Sequence, residues 1–159
     1  MSERFYIRFN LHKSGVDRDI PWVTPDLFQM SEQEVEEYAR QCDVMHEERA
    51  AALRETLKAE TDTLYEKKVL FLGDSITSDR LSYRTIVTKA ASLTAQDGSV
   101  SSGTTASQLL ANRNRLQAFD GDLVSILLGA NDSLFFGITE QIPFVSPGEY
   151  ERNLTCLIQ

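Results

Sequence analysis

Three short segments of this sequence carry groups suited to chemistry at a carbonyl carbon. They are Gly73-Asp74-Ser75-Ile76-Thr77, Ser101-Ser102-Gly103-Thr104-Thr105 and Gly129-Ala130-Asn131-Asp132-Ser133. A serine hydroxyl attacks such a carbon when a base takes its proton. The oxyanion that results needs donors held in place, each contributing about 2.7–4 kcal/mol to the transition state. The Ser75 N–H, the Gly103 N–H and the Asn131 side-chain amide are three such donors, one from each segment. An amide donates without ionising, so the part assigned to Asn131 does not depend on pH.

The elements around these segments place them together. Lys67-Lys68 leads into Val69-Leu70-Phe71-Leu72, a short apolar run that stops at Gly73, the pattern of a buried parallel strand. Residues 79–92 read as a helix with Leu81, Ile86, Val87 and Ala90 on its apolar side. A weak strand is expected around Ser99-Val100. A second helix is expected over 105–117, with Leu109, Leu110 and Leu116 apolar. Asp120-Gly121 reads as a turn, and 122–129 as a second strong buried strand. A long loop over 133–147, with Pro143 and Pro147, precedes a last helix from Gly148 to Gln159. Strand alternating with helix predicts an α/β fold, a doubly wound three-layer parallel sheet. Ligands of such sheets bind beyond the carboxyl ends of the strands, where all three segments fall.

Residues 67–159 resemble the SGNH, or GDSL, hydrolase superfamily. Gly73-Asp74-Ser75 after an apolar strand matches its first block, with Ile76-Thr77 in pattern. Gly103 fits the glycine of the second block, and Gly129-Ala130-Asn131-Asp132 matches the third. Glu149 to Leu154 resembles the helix start that commonly follows it. The resemblance implies a flavodoxin-like SGNH hydrolase fold and a serine esterase or lipase-type activity through an acyl-Ser75 intermediate. It implies an oxyanion hole of Ser75, Gly103 and Asn131, with Gly73, Asp74, Gly129 and Asp132 in support. No metal and no cofactor is implied. Each motif alone is weak. Two of them about 55 residues apart, behind apolar strands and with a Gly/Thr block between, are far more specific.

The chain departs from the family in one respect. The base and its orienting acid come from an Asp-x-x-His near the domain's C-terminus, and no histidine follows His46 here. His12 and His46 read as ordinary surface or packing histidines. Without its base a nucleophilic serine loses most activity, although an oxyanion hole leaves a residue of catalysis. The chain stops within a helix at Leu157-Ile158-Gln159 with no terminating cap. The expectation is therefore a C-terminally incomplete fragment, inactive or weakly active, in preference to a degenerate relative. Three strands alone should leave a sheet edge uncovered and prone to association.

Residues 1–66 form an N-terminal extension. Phe5 to Phe9 suggests a short strand, and about 31–66 an acidic helix opened by a Ser31/Glu34 capping box. Val35, Tyr38, Cys42, Met45, Leu53, Leu57 and Leu64 form its apolar stripe, too irregular for heptads. This helix reads as a surface element packed by one stripe. The formal net charge is -8, and residues 1–66 carry nearly all of it, with 15 Asp/Glu against 8 Lys/Arg. An acidic chain repels phosphate backbones, which argues against nucleic acid. No apolar run is long enough for a membrane span. No signal peptide is apparent, and two scattered cysteines, Cys42 and Cys156, suit a reducing cytoplasmic setting.

Other chemistries lack their residues. There is no Walker A or GxGxxG loop, no GxSxG elbow, and no second aspartate two residues after Asp74 for a dehalogenase-like phosphatase. The reading is an esterase for a small-molecule ester, an acyl-carbohydrate or a lipid ester. The alternative is a non-catalytic small-ligand or protein-binding module on the same scaffold.

Overall fold

The structure, a computed structural model, describes residues 31–79, 81–100, 103–136 and 142–159. The strand expected over Phe5 to Phe9, together with His12 and Ser101-Ser102, lies outside the described residues. The chain divides into two compact units, one of residues 1–66 with 78–93, the other of 67–77 with 94–159.

The first unit is helical. The capping box predicted at Ser31 is present: Glu34 N–H donates to Ser31 Oγ at 3.3 Å and Ser31 N–H donates to the Glu34 carboxylate at 2.8 Å. It opens α1, Glu32–Thr56. The single helix expected over 31–66 is two, because Leu57 leaves helical geometry at φ -120°, ψ 49° and α2 runs Lys58–Leu64. The buried line of α1 is Cys42, His46 and Ala50, spaced by four, while Val44 and Met45 are exposed. Small residues there let α1 pack on α4, Tyr83–Ala90. Ser82 caps α4, accepting from Thr85 N–H. At its other end Arg54 donates to the Ala90 and Lys89 carbonyls at 2.9 and 2.8 Å, satisfying groups the helix leaves free. Lys89 also pairs with Glu47.

The second unit is built on β1, Lys68–Gly73, buried from Val69 onward as its continuous apolar run predicts. A single turn, α3, Ser75–Ser78, follows directly. Strand β2 is Thr94–Asp97, earlier than the Ser99-Val100 predicted for it. Among the described residues it pairs only with β1, and Gln96 and Asp97 are both exposed, so their polarity costs little. Helix α5, Thr105–Gln117, leads to β3, Leu123–Leu127. Both β2 and β3 pair with β1 in parallel, in the order β2-β1-β3. The connections leave β1 toward one edge and return past it to the other, the topology of a wound α/β sheet.

The loop predicted over 133–147 contains a minimal hairpin, β4 Phe135–Phe136 with β5 Ile142–Pro143. Helix α6, Pro147–Ile158, then packs against α5. Its N-cap is Ser146, with Pro147 at the first position where no N–H is needed. Leu70, Leu72 and Leu157 form the buried core, flanked by Leu109, Leu116, Phe119, Ile126 and Leu128. Each fully buried leucine contributes about 1.5–3 kcal/mol.

Two expectations about burial are corrected. Strand β3 is not a buried strand: Leu123, Val124 and Leu127 are 45%, 38% and 42% exposed. Among the described residues only β1 pairs with it, which makes it an edge. Helix α5 does not bury Leu110, which is 89% exposed; its fully inward residues are Thr105, Gln108 and Asn112. That polar face has a structural task, set out next.

Candidate active site

The rim lies wholly in the second unit. Gly73 ends β1, and its carbonyl accepts from the Val100 N–H at 2.8 Å and from the Gln108 side-chain amide. A Cβ on Gly73 would sit 1.9 Å from Thr77 Oγ1 and 2.5 Å from Thr77 Cβ. Thr77 is fully buried, so only glycine lets the chain turn this tightly from β1 into α3. Asp74 then points inward. It is 1% exposed, and its Oδ1 accepts from the Ile76 N–H at 2.9 Å, an Asx turn that fixes the first residues of α3. Ser75 follows at the first position of α3, half-buried on the surface of the rim.

The second segment approaches from β2. Gly98 N–H donates to Phe71 O at 2.8 Å, extending the pairing beyond the strand proper. Gln108 and Asn112, one turn apart on α5, hold this stretch from beneath. Asn112 donates to Gly98 O and to Gln108 Oε1, both at 2.8 Å, and Gln108 donates to Gly98 O at 3.2 Å. Buried carbonyls must find donors, and these two amides supply them. Gly103 sits at the end of the same segment, buried, with its N–H donating to Val100 O at 2.8 Å.

The third segment leaves β3 through Gly129, at φ +120°, a conformation that side-chain-bearing residues rarely adopt. Tyr150 of α6 lies beside it, its hydroxyl 3.5 Å and its ring 3.6 Å from the place a Cβ would take. Asp132 is 3% exposed and binds the start of α5. Its carboxylate accepts from the Thr105 N–H at 2.9 and 3.2 Å and from Thr105 Oγ1 at 2.6 Å. Asn131, beside it, donates to Gly103 O at 3.0 Å and reaches Asp74 Oδ2 at 3.5 Å.

Asn131 therefore reaches both Asp74 and Gly103, although 57 residues separate it from Asp74. Gly73, Ser75, Gly129 and Asp132 adjoin them along the chain. The hydrogens, however, are already committed. The Gly103 N–H is spent on Val100 O, and the Asn131 amide on Gly103 O and Asp74. An oxyanion arriving beside Ser75 would receive these two donors only after the Gly103 peptide and the Asn131 side chain turned. Preorganisation, on which such stabilisation depends, is not present at those two groups.

Thr105, Gln108, Asn112 and Tyr150 complete the rim and were not singled out by the sequence. A signal existed for three of them: 105, 108 and 112 fall on one helical face, polar where a core-facing helix is usually apolar. His46, buried in the first unit, belongs to a different unit from these residues. Neither Cys42 nor Cys156 is in a disulfide. Among the described residues no group of three or more His, Cys, Asp or Glu could hold a metal ion, and no helix is long and apolar enough to cross a membrane. The chain matches no family model, no curated protein and no solved structure.

Proposed function

We propose that residues 67–159 carry the nucleophile side of an SGNH-type serine esterase, with Ser75 attacking the carbonyl carbon of an ester. One observation supports this reading above others: the Asp74 carboxylate, the Gly103 carbonyl and the Asn131 amide meet at the carboxyl ends of parallel strands, beside Ser75. The strand order β2-β1-β3 is that of flavodoxin-like sheets, which suits the same reading.

In the reaction, Ser75 Oγ forms a bond to the carbonyl carbon and its proton passes to a base. The tetrahedral oxyanion takes hydrogen bonds from Ser75 N–H and, once they turn, from Gly103 N–H and Asn131 Nδ2. The alcohol leaves with a proton from the protonated base, and water then hydrolyses acyl-Ser75. Residues 67–159 contain no histidine. Added imidazole supplies a base of that kind in a test.

A second reading, a binding module on the same rim, is favoured by one observation. Gly103 N–H and the Asn131 amide are satisfied within the protein and need no ligand. A fluorophosphonate separates the two readings. Folded protein should be labelled at Ser75, faster with imidazole, and Ser75→Ala should remove the label. Folded protein that stays unlabelled at Ser75 with imidazole present would overturn the esterase reading in favour of the module.

A further inference from the structure

The two edges of the parallel sheet are finished differently. Strand β2 is blunted by polar groups. Gln96 and Asp97 are exposed, the Asp97 carboxylate accepts from Ser99 N–H at 2.9 Å, and Arg115 donates to the Asp97 carbonyl at 2.8 Å. Charged side chains on an edge discourage pairing with another chain. Strand β3 carries none. Among the described residues it pairs with β1 alone. It runs Leu123-Val124-Ser125-Ile126-Leu127, without charge, proline or glycine, and Leu123, Val124 and Leu127 are exposed. Such a strand is a template for a further strand.

The order of its residues selects the partner. Read from either end, the strand is leucine, β-branched residue, serine, β-branched residue, leucine. Antiparallel pairing with a second copy, centred on Ser125, sets Leu123 opposite Leu127, Val124 opposite Ile126 and serine opposite serine. Apolar then meets apolar at every apolar position, which is what stabilises a strand pair. Other registers lose this match. A slip of one residue sets Ser125 opposite Val124 or Ile126. Centring on Val124 sets Asp122 opposite Ile126, and centring on Ile126 sets Ser125 opposite Leu127. Charge selects the direction. Asp122, just before the strand, pairs with Lys67 at 3.2 Å and accepts from Lys68 N–H at 2.8 Å. Antiparallel pairing keeps the two Asp122 at opposite ends of the ladder, whereas parallel pairing in register sets them side by side, and like charges there are destabilising. Residues 67–159 carry 8 Lys/Arg and 9 Asp/Glu, so the sheet-bearing segments are nearly neutral and can approach each other.

We propose that β3 is a self-association edge: two copies of this chain join β3 to β3, antiparallel and centred on Ser125, into one continuous sheet. The two rims then lie at opposite ends of that sheet. A ladder of five residues a side is far smaller than the roughly 20–30 residues a side of a standard interface. The dimer is therefore reversible and comes apart on dilution. This association goes beyond the esterase reading and does not depend on it.

Sedimentation velocity of the full chain, from low to high micromolar concentration, reads the association directly. Wild type should pass from monomer to dimer as concentration rises. Leu127→Lys and Leu123→Glu, both at exposed positions, should each stay monomeric with the wild-type melting temperature. Mixed in equal amounts, they should dimerise at least about tenfold more tightly than either alone. In the mixed dimer the introduced lysine faces the introduced glutamate, and the other Leu123–Leu127 pair stays intact. Wild type that is monomeric throughout refutes the proposal, as does a single variant that dimerises like wild type. A mixture no tighter than its components refutes the register, and the proposal with it. Should a variant not fold, amide exchange in wild type decides. The amides of β3 should exchange more slowly as concentration rises, and exchange there that ignores concentration sinks the idea.

Discussion

Asp132→Ala should be the most damaging single change on the rim that leaves Ser75 and Asn131 in place. The carboxylate is buried and takes two donors from Thr105, the N–H and the hydroxyl, the latter at 2.6 Å. Hydrogen bonds to a charged group contribute about 1.5–3 kcal/mol each. A negative charge at the start of a helix adds about 0.3–1 kcal/mol. The cost of burying the carboxylate offsets part of this, leaving a net loss of ~3 kcal/mol. That is a large share of the ~5–15 kcal/mol that holds a domain together. With a urea slope of about 2 kcal/mol/M, the unfolding midpoint should fall by ~1.5 M. Amide exchange should localise the loss to α5 and the 129–133 loop. Thr105→Val removes the hydroxyl and keeps the N–H, so it should cost less. The double mutant should show a coupling of at least ~1 kcal/mol, because the two side chains share one interaction. Fluorophosphonate labelling of Ser75 should also fall in Asp132→Ala under conditions where it remains folded, since Asn131 loses its anchored neighbour. A midpoint shift below ~0.3 M at unchanged slope, or strict additivity with Thr105→Val, would refute the claim that this contact fixes the rim.

Gly73→Ala should cost about 1–3 kcal/mol by overpacking, because its Cβ would fall 1.9 Å from Thr77 Oγ1. Gly73→Ala/Thr77→Ala should regain part of the loss in a thermal melt; a double variant no more stable than Gly73→Ala would count against the steric cause. In the first unit, His46 is 3% exposed and neither ring nitrogen has a hydrogen-bond partner among the described residues; Asp43 stands 3.6 Å away. Burial is the main cause holding its pKa below the usual 6.5, with Lys89 and Arg49 acting in the same direction and Asp43 against them. The unfolded chain then binds more protons than the folded one, so stability present above about pH 6.5 is lost as pH falls below it. Melting temperatures from pH 7.5 to 5.5 should drop in wild type and stay flat in His46→Leu. The carboxylates of Glu34, Glu37 and Glu47, all held below their usual 4.5, act only in a more acidic window.

How much of this was legible follows from which constraints are local. Strand β1 could be read because a run of four apolar residues ending in glycine is buried on both faces, and nothing distant changes that. The start of α1 could be read because a capping box closes within three residues. Strand β2 lies at Thr94–Asp97 and not at Ser99-Val100 because its apolar signal is weak. The real strand is an edge, whose outward Gln96 and Asp97 erase the apolar signature. The polar face of α5 is visible as a spacing but its purpose is not, since Gln108 and Asn112 serve carbonyls at Gly73 and Gly98 that only the wound sheet brings over the helix. Strand β3 misled in the other direction, its leucines and valine promising a burial that one paired edge does not provide. The rim divides along the same line. Strand order and strand ends determine which residues gather there, and both leave marks in the sequence. Where each hydrogen points is settled by single peptide rotations such as the one that turns the Gly103 N–H toward Val100 O. A motif names the residues of an oxyanion hole, but its power depends on those rotations. The cost of turning two committed donors toward a substrate is therefore part of the barrier at Ser75, and the motif does not record it.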